Sequence, residues 1–102
     1  MQVESEIGNV MGQKSKFIKN TQVIFRKEEK GAYLYDPVSG SLRFINPVAT
    51  SVYELCDGLH PVEAMVTRVA GEYQDVPLDQ VETDIDRFLA VLLEMDVVRK
   101  IN

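Results

Sequence analysis

The chain has 102 residues, 45% of them hydrophobic and 26% charged, and its net charge is −5. Such a length accommodates one small domain with a modest core. No apolar run approaches the roughly 18 residues of a membrane span, residues 1–20 lack the apolar centre of a signal peptide, and a single cysteine excludes an internal disulfide framework. We therefore expect a cytoplasmic protein that does not act in a membrane.

The N-terminal residues 1–19 follow neither the helical nor the strand period and mix glycine, asparagine, glutamine, serine and lysine. We expect them to form a flexible tail with its lysines in solvent, followed by one domain over residues 20–102. The start of that domain carries short alternating apolar runs, which predict three strands. These strands span residues 21–26, 32–35 and 41–45. The turn from Asp36 to Gly40 favours an antiparallel meander.

Beyond the third strand, apolar residues recur every three or four positions, as in helices. Asn46 is suited to cap the first helix and Pro47 to its first position, while Gly58 is expected to close it. A second helix is predicted from Pro61. A third is predicted over residues 78–95, with an apolar inner face and an acidic outer face.

Three strands followed by three helices predict an α+β fold with a winged-helix-like arrangement, in which the helices pack on one face of a small antiparallel sheet. The C-terminal residues 97–102 are expected either to cover the core or to add an edge strand. A sheet of three strands has two edges, and an edge strand presents unpaired backbone N–H and C=O groups. Such an edge can pair with another chain.

Two motifs surround the predicted first helix: Phe-Ile-Asn-Pro-Val-Ala at 44–49 and Tyr-Glu-Leu-Cys-Asp-Gly at 53–58. With Val66 and Tyr73 in the second helix and the run Phe-Leu-Ala-Val-Leu at 88–92, they resemble the pyrroloquinoline quinone biosynthesis protein D (PqqD-like) family. The resemblance covers roughly residues 21–100 and implies a winged-helix-like module, the precursor-peptide recognition element of ribosomally made, modified peptides. Members usually carry glycine after the third helix, where this chain has Met-Asp-Val.

The resemblance implies a non-catalytic peptide chaperone. It would bind the leader of a precursor peptide and present it to a modifying enzyme, often a radical S-adenosylmethionine protein, in pyrroloquinoline quinone or related biosynthesis. No catalytic residue, metal or cofactor is expected, and the protein would be a monomer or a weak homodimer. The leader is expected to add as a strand beside the third strand, in a groove bordered by the third helix. The residues expected to bind it are Ser41, Leu42, Arg43, Phe44, Val81, Asp84, Ile85, Arg87 and Phe88.

Several residues have simpler interpretations. Cys56, with no second cysteine, is expected to be a small buried residue at a helix end, and His60 to serve the start of the second helix. The acidic residues of the third helix are expected to form a solvated face rather than a calcium loop. Leu42 and Phe44 could be core residues of any three-stranded sheet packed on helices.

Two other function classes compete with the peptide-binding module. A winged-helix DNA-binding or regulatory protein is favoured by the architecture, but residues 31–102 carry twelve acidic and five basic side chains. Nucleic-acid binders usually need a basic face. An enzyme is least favoured, because the sequence has no glycine-rich phosphate loop, no metal-ligand cluster and no nucleophile beside a base. We therefore expect no nucleic-acid partner.

Overall fold

The computed structural model describes residues 12–101. Its strands are β1 (Phe17–Lys19), β2 (Ile24–Glu28), β3 (Gly31–Asp36), β4 (Ser41–Ile45) and β5 (Val98–Lys100), and its helices are α1 (Pro47–Glu54), α2 (Val62–Glu72) and α3 (Leu78–Glu94). Strands β2, β3 and β4 form an antiparallel sheet in that order. The predicted α+β fold, a three-stranded antiparallel sheet followed by three helices, is confirmed. Among the helices of the described residues, none is long and apolar enough to cross a membrane.

The three-stranded sheet is a meander of two tight hairpins, as predicted. In the second hairpin the Asp36 side chain accepts from the N–H of Val38, and the N–H of Gly40 donates to the Asp36 carbonyl. The start of β2 was predicted three residues too early. The Asn20 carbonyl accepts from the N–H of Val23, which closes a turn, and β2 therefore begins only at Ile24.

The last residues of the expected N-terminal tail are folded in the structure. Phe17–Lys19 forms β1, which pairs antiparallel with β5, and the side chain of Phe17 is completely buried. The pattern of three residues is too short to signal a strand, and its partner lies at the other end of the chain. The packed unit thus begins before residue 20. Residues 1–11 of the expected tail lie outside the described residues. The C-terminal stretch forms strand β5, which pairs with β1 in a separate two-stranded sheet rather than at an edge of the three-stranded sheet, and its Val97 and Val98 are buried in the core.

Lys19 is not a free surface cation. Its Nζ donates to the carbonyl oxygens of Glu54 at 3.0 Å and Cys56 at 3.3 Å, and it lies 5.4 Å from the centre of the Tyr53 ring. A cation at the C-terminal end of a helix satisfies exposed carbonyls and interacts favourably with the helix dipole. Lys19 therefore ties β1 to the end of α1.

The first helix begins as predicted and ends earlier than predicted. The Asn46 side chain accepts from the N–H of Ala49 at 2.8 Å, and Pro47 is the first helical residue. The helix stops at Glu54, not at Gly58. Gly58 does adopt the left-handed conformation, with φ of 81°, but in a following turn where its N–H donates to the carbonyl of Phe17.

The corner between α1 and α2 is held by one carboxylate. Asp57 accepts from the backbone N–H of Leu59 and of His60, and its Oδ2 lies 2.8 Å from His60 Nδ1. Burial by itself raises the pKa of Asp57, yet these hydrogen bonds outweigh it and lower the pKa to about 2. His60 thus serves the connection that leads into the second helix.

This corner predicts a specific acid sensitivity. Because the folded pKa of Asp57 lies below the unfolded value of about 3.9, its contribution to stability is present above that value and is lost as the pH falls towards about 2. Asp57→Asn keeps an acceptor oxygen but cannot titrate. Denaturant unfolding at pH 5 and pH 2.5 should show a smaller loss of stability in the variant. An equal loss in both proteins would contradict this role.

The core lies between the inner face of the sheet and the three helices. From the sheet it takes Ala32, Leu34 and Ile45. The predicted inner face of α3 is confirmed for its most buried residues, which are Val81, Ile85, Leu89 and Leu92. Tyr53 packs against Phe25 with ring centres 5.2 Å apart. This packing fixes the sheet against the helices. The strand order makes β4 one edge of the sheet.

Helix α3 ends in a turn that normally favours glycine. Asp96 has φ of 62°, its N–H donates to the carbonyl of Leu93, and the N–H of Val97 donates to the carbonyl of Leu92. These two bonds form a Schellman motif, whose left-handed residue is usually glycine. The PqqD-like family usually carries glycine in this region. Here Asp96 adopts the left-handed conformation instead, so the helix end is kept but at some conformational cost.

Replacing Asp96 with glycine should therefore stabilise the protein. We expect Asp96→Gly to raise the free energy of unfolding by roughly 0.5–1 kcal/mol, because glycine adopts the left-handed conformation without a Cβ clash. Chemical denaturation of the variant and of Asp96→Ala measures the effect. The alanine variant should be less stable than the glycine variant, and the reverse order would contradict the assignment.

Candidate functional site

The predicted binding strand forms an edge of the sheet. Within residues 12–101, β4 pairs with β3 alone. Successive residues of an antiparallel strand direct their backbone N–H and C=O groups alternately towards the partner strand and away from it. β4 therefore presents hydrogen-bonding backbone groups along its unpaired edge. Its residues Ser41, Leu42, Arg43 and Phe44 are all exposed.

The side chains of β4 divide between the two faces of the sheet. Ser41 and Arg43 lie on the inner face, where they border a recess of about 30 Å³ together with Met95 and Val97. The edge strand is thus adjacent to the residues that follow α3, and none of the predicted α3 residues lines this recess. Leu42 belongs to the opposite, outer face, which the helices do not cover.

The predicted wall on α3 is only partly accessible. Val81 and Ile85 are 2% and 0% exposed, so their side chains pack in the core and hold the helix in place. Asp84 and Phe88 are half-buried, and Arg87 is exposed. Surface contacts from α3 are therefore available at Asp84, Arg87 and Phe88. The nine-residue set as a whole stays a prediction.

Two oppositely charged residues of the predicted α3 wall lie close to each other. Arg87 Nη1 lies 3.8 Å from Asp84 Oδ1, which also accepts from Gln80 Nε2 at 2.9 Å. Two residues after Asp84, burial raises the pKa of Asp86, and the neighbouring charge of Glu82 adds to this. The outer face of α3 is thus acidic, with its arginine held beside a carboxylate. An exposed pair of this kind contributes little to stability, so both groups can exchange partners at low cost.

Cys56 is confirmed as a small buried residue near a helix end. Its Sγ donates to the carbonyl of Val52 at 3.3 Å, and its side chain is fully buried. Burial raises the pKa of the thiol to about 12, with Lys19 opposing and Asp57 adding to the shift. A thiol of this kind is a poor nucleophile, because the reactive form is the thiolate. Among the described residues, no cluster of three His, Cys, Asp or Glu could hold a metal ion.

The environment of Cys56 predicts an unreactive thiol. In the folded protein at pH 8, an aromatic disulfide reagent should modify Cys56 roughly a thousandfold more slowly than in denaturant, because the thiolate is scarce and the sulfur is covered. The absorbance of the released thiolate reports the rate. Ser39→Cys, in an exposed turn, provides a fast-reacting reference. Comparable rates at the two positions would contradict the buried assignment.

The sequence did not indicate two sets of residues beside the predicted site. Met95 and Val97 line the recess under β4, and their only signal was that they are apolar and follow the third helix. Ile24, Tyr33 and Tyr35 lie on the outer face of the sheet, next to Leu42. Their alternation was visible, but alternation alone does not say which face the helices cover.

The fold and the accessible β4 edge define a small winged-helix-like module suited to pair with an extended chain. Residues 31–98 match the family model described as Coenzyme PQQ synthesis protein D (PqqD). The match covers more than half of the sequence, and the chain belongs to the PqqD family, which confirms the resemblance.

One solved structure, described as TbiB1 in Complex with the TbiA(beta) Leader Peptide, is similar to this chain with a TM-score of 0.71. The two sequences are 20% identical, and the similarity covers 80% of this chain and 94% of that chain. At this identity the similarity establishes the shared fold. No curated protein matched the chain.

Proposed function

We propose that this protein captures the leader of a ribosomally made precursor peptide by strand addition and presents it to a peptide-modifying enzyme. The observation that carries the proposal is the exposed β4 edge beside the end of α3, in a member of the PqqD family. The structurally similar TbiB1 was solved with a leader peptide, which supports the same kind of ligand here.

Strand addition explains how such a small surface can bind a flexible peptide. Four to six main-chain hydrogen bonds, each contributing about 0.5–1.5 kcal/mol, are opposed by an ordering cost of about 2–5 kcal/mol for the leader. Backbone pairing alone thus comes close to balance. Apolar leader side chains must supply the remainder, at about 25 cal/mol per Å² of buried area. Met95 lines the recess beside β4, and Phe88 on α3 is a partly buried apolar residue of the predicted wall.

The proposed role is binding without catalysis, in the cytoplasm. The modifying enzyme would be a radical S-adenosylmethionine protein or another peptide-modifying enzyme. The acidic outer face of α3 favours a leader with lysine or arginine near that wall, and Arg43 or Arg87 can bind a leader carboxylate. The same acidic face disfavours the DNA-binding alternative, because α3 would have to approach a phosphate backbone.

Backbone amide shifts on titration with a leader test the proposal. The probe is the synthetic leader of any short precursor peptide whose gene lies next to the gene of this protein. We expect perturbations at residues 41–45 of β4 and at exposed positions of α3. Shifts centred on α2, or no saturable binding, would overturn the assignment. The electrophoretic mobility of random duplex DNA, measured with the protein at low salt, tests the DNA-binding alternative. We expect the protein not to retard the DNA.

A further inference from the structure

The outer face of the three-stranded sheet is a second, unused surface. The strand register aligns its side chains in two rows across β2, β3 and β4. The first row is Ile24, Tyr35 and Leu42, and the second is Arg26, Tyr33 and Phe44. The helices pack on the opposite face, so this six-residue outer face is exposed, and part of it forms a depression of about 430 Å³.

The outer face is large and apolar for a chain of this size. Its five apolar residues are 39–60% exposed. If a full aromatic or aliphatic side chain offers about 200 Å², they present roughly 500 Å² together, near the upper limit for a monomeric protein. Two of its aromatic rings also pack against each other. Tyr33 and Phe44 stack edge to face with ring centres 5.1 Å apart, and the Phe44 ring lies over Gly31, where a Cβ would meet it at 2.6 Å.

The charges of the outer face are balanced locally. Its only charged side chain is Arg26, whose Nε lies 2.9 Å from Glu28 Oε2. A surface with no net charge, on a chain of net charge −5, is the part of the molecule where a second acidic copy meets the least repulsion. In the second row, Arg26 on β2 and Phe44 on β4 lie at opposite ends, with Tyr33 of β3 between them.

We propose that the outer face binds the outer face of a second copy of this chain, as an isologous dimer of stacked sheets. A two-fold axis parallel to the strands places β2 of one copy over β4 of the other. Arg26 then faces Phe44 of the second copy, a cation–π arrangement, and Ile24 faces its Leu42. The two β3 strands, with their tyrosines, meet at the centre, and no like charges face each other.

The area sets the strength of this dimer. Two outer faces bury about 1,000 Å², at the small end of specific interfaces. The dimer therefore forms reversibly, at high protein concentration. Because both copies are acidic, salt screens their repulsion and strengthens the association. Stacking through the faces leaves the two β4 edges accessible, so this inference does not depend on the proposed leader binding.

Sedimentation equilibrium of the full chain, from micromolar to millimolar concentration, tests the proposal. The wild type should show a monomer–dimer equilibrium that shifts towards dimer with added sodium chloride. Tyr35→Glu, on the central strand, and Ile24→Glu should be at least tenfold weaker in association. Val38→Glu is the matched control, since it adds the same charge at an exposed apolar residue in the β3–β4 turn, and it should keep the dimer.

Circular dichroism checks that each variant is folded. If Tyr35→Glu does not fold, Ile24→Glu on the edge strand β2 tests the interface by itself. A wild type that stays monomeric to millimolar concentration would overturn the proposal. A dimer that Ile24→Glu and Tyr35→Glu leave unchanged would do the same, because it would use another surface, such as strand edges. Leader binding enters none of these measurements, so the two proposals fail separately.

Discussion

A single proline in β4 should weaken leader binding at least tenfold at one of two neighbouring positions and weaken the fold at the other. Because consecutive residues of an antiparallel strand direct their backbone groups to opposite sides, one of Leu42 and Arg43 points its N–H to β3 and the other to the open edge. Proline at the outward position is compatible with an edge strand, but it removes a donor and its ring obstructs an incoming strand. We expect leader affinity there to fall at least tenfold, about 1.4 kcal/mol.

The pair of variants Leu42→Pro and Arg43→Pro contains its own control. The variant whose N–H faces β3 loses a ladder bond and should unfold at lower denaturant concentration, whereas the other should keep nearly wild-type stability. Leu42→Ala and Arg43→Ala separate the loss of a side chain from the loss of a donor. Calorimetric titration with the leader peptide measures affinity. If the stable proline variant bound the leader like its alanine counterpart, pairing at β4 would be refuted.

The largest expected effect on stability is at Gly31, the first residue of β3. Its φ is 143°, and a Cβ there would overlap the carbonyl oxygen of Ile45 and lie 2.6 Å from the Phe44 ring. Backbone cannot move aside as a flexible side chain can. We expect Gly31→Ala to lower the free energy of unfolding by about 2–4 kcal/mol.

Gly40→Ala is the matched control for this effect. Gly40 also has a positive φ, 80°, but no neighbouring atom lies within 4 Å of the point where an alanine Cβ would stand. Only the conformational cost applies, so its destabilisation should be about 1 kcal/mol. Urea unfolding of both variants measures the difference. Equal losses at the two glycines would contradict a steric role for Gly31.

Local signals in the sequence predicted most of the fold. The Asn46-Pro47 pair marked the start of α1, and the turn from Asp36 to Gly40 marked the second hairpin; both depend on residues within one turn of each other. The pairing of β1 with β5 was not predictable, because it joins two strands of three residues from opposite ends of the chain. Such short runs carry no detectable period.

The edge strand of the candidate site was predictable, because the edge position of the third predicted strand followed from the meander. The choice of α3 as the wall beside it rests on the family resemblance and stays a prediction. The degree of burial was not predictable. An apolar residue at helical spacing can face either a groove or the core, and Val81 and Ile85 face the core. The recess beside Met95 depends on where α3 ends, which in turn depends on the left-handed residue Asp96.

The antiparallel pair β1–β5 also determines how this unit can be joined to other proteins. The N–H of Ile101 donates to the carbonyl of Lys16 at 2.9 Å, so the outer ends of the β1–β5 pair are neighbours, and the few packed residues before it bond to the start of α2 through the carbonyls of Gln13 and Ser15. A unit with adjacent entry and exit points can be spliced into a surface loop of a host enzyme without stretching that loop. A circular permutant that joins the outer ends of the β1–β5 pair by a short linker, and has its new termini in an exposed turn, should fold for the same geometric reason.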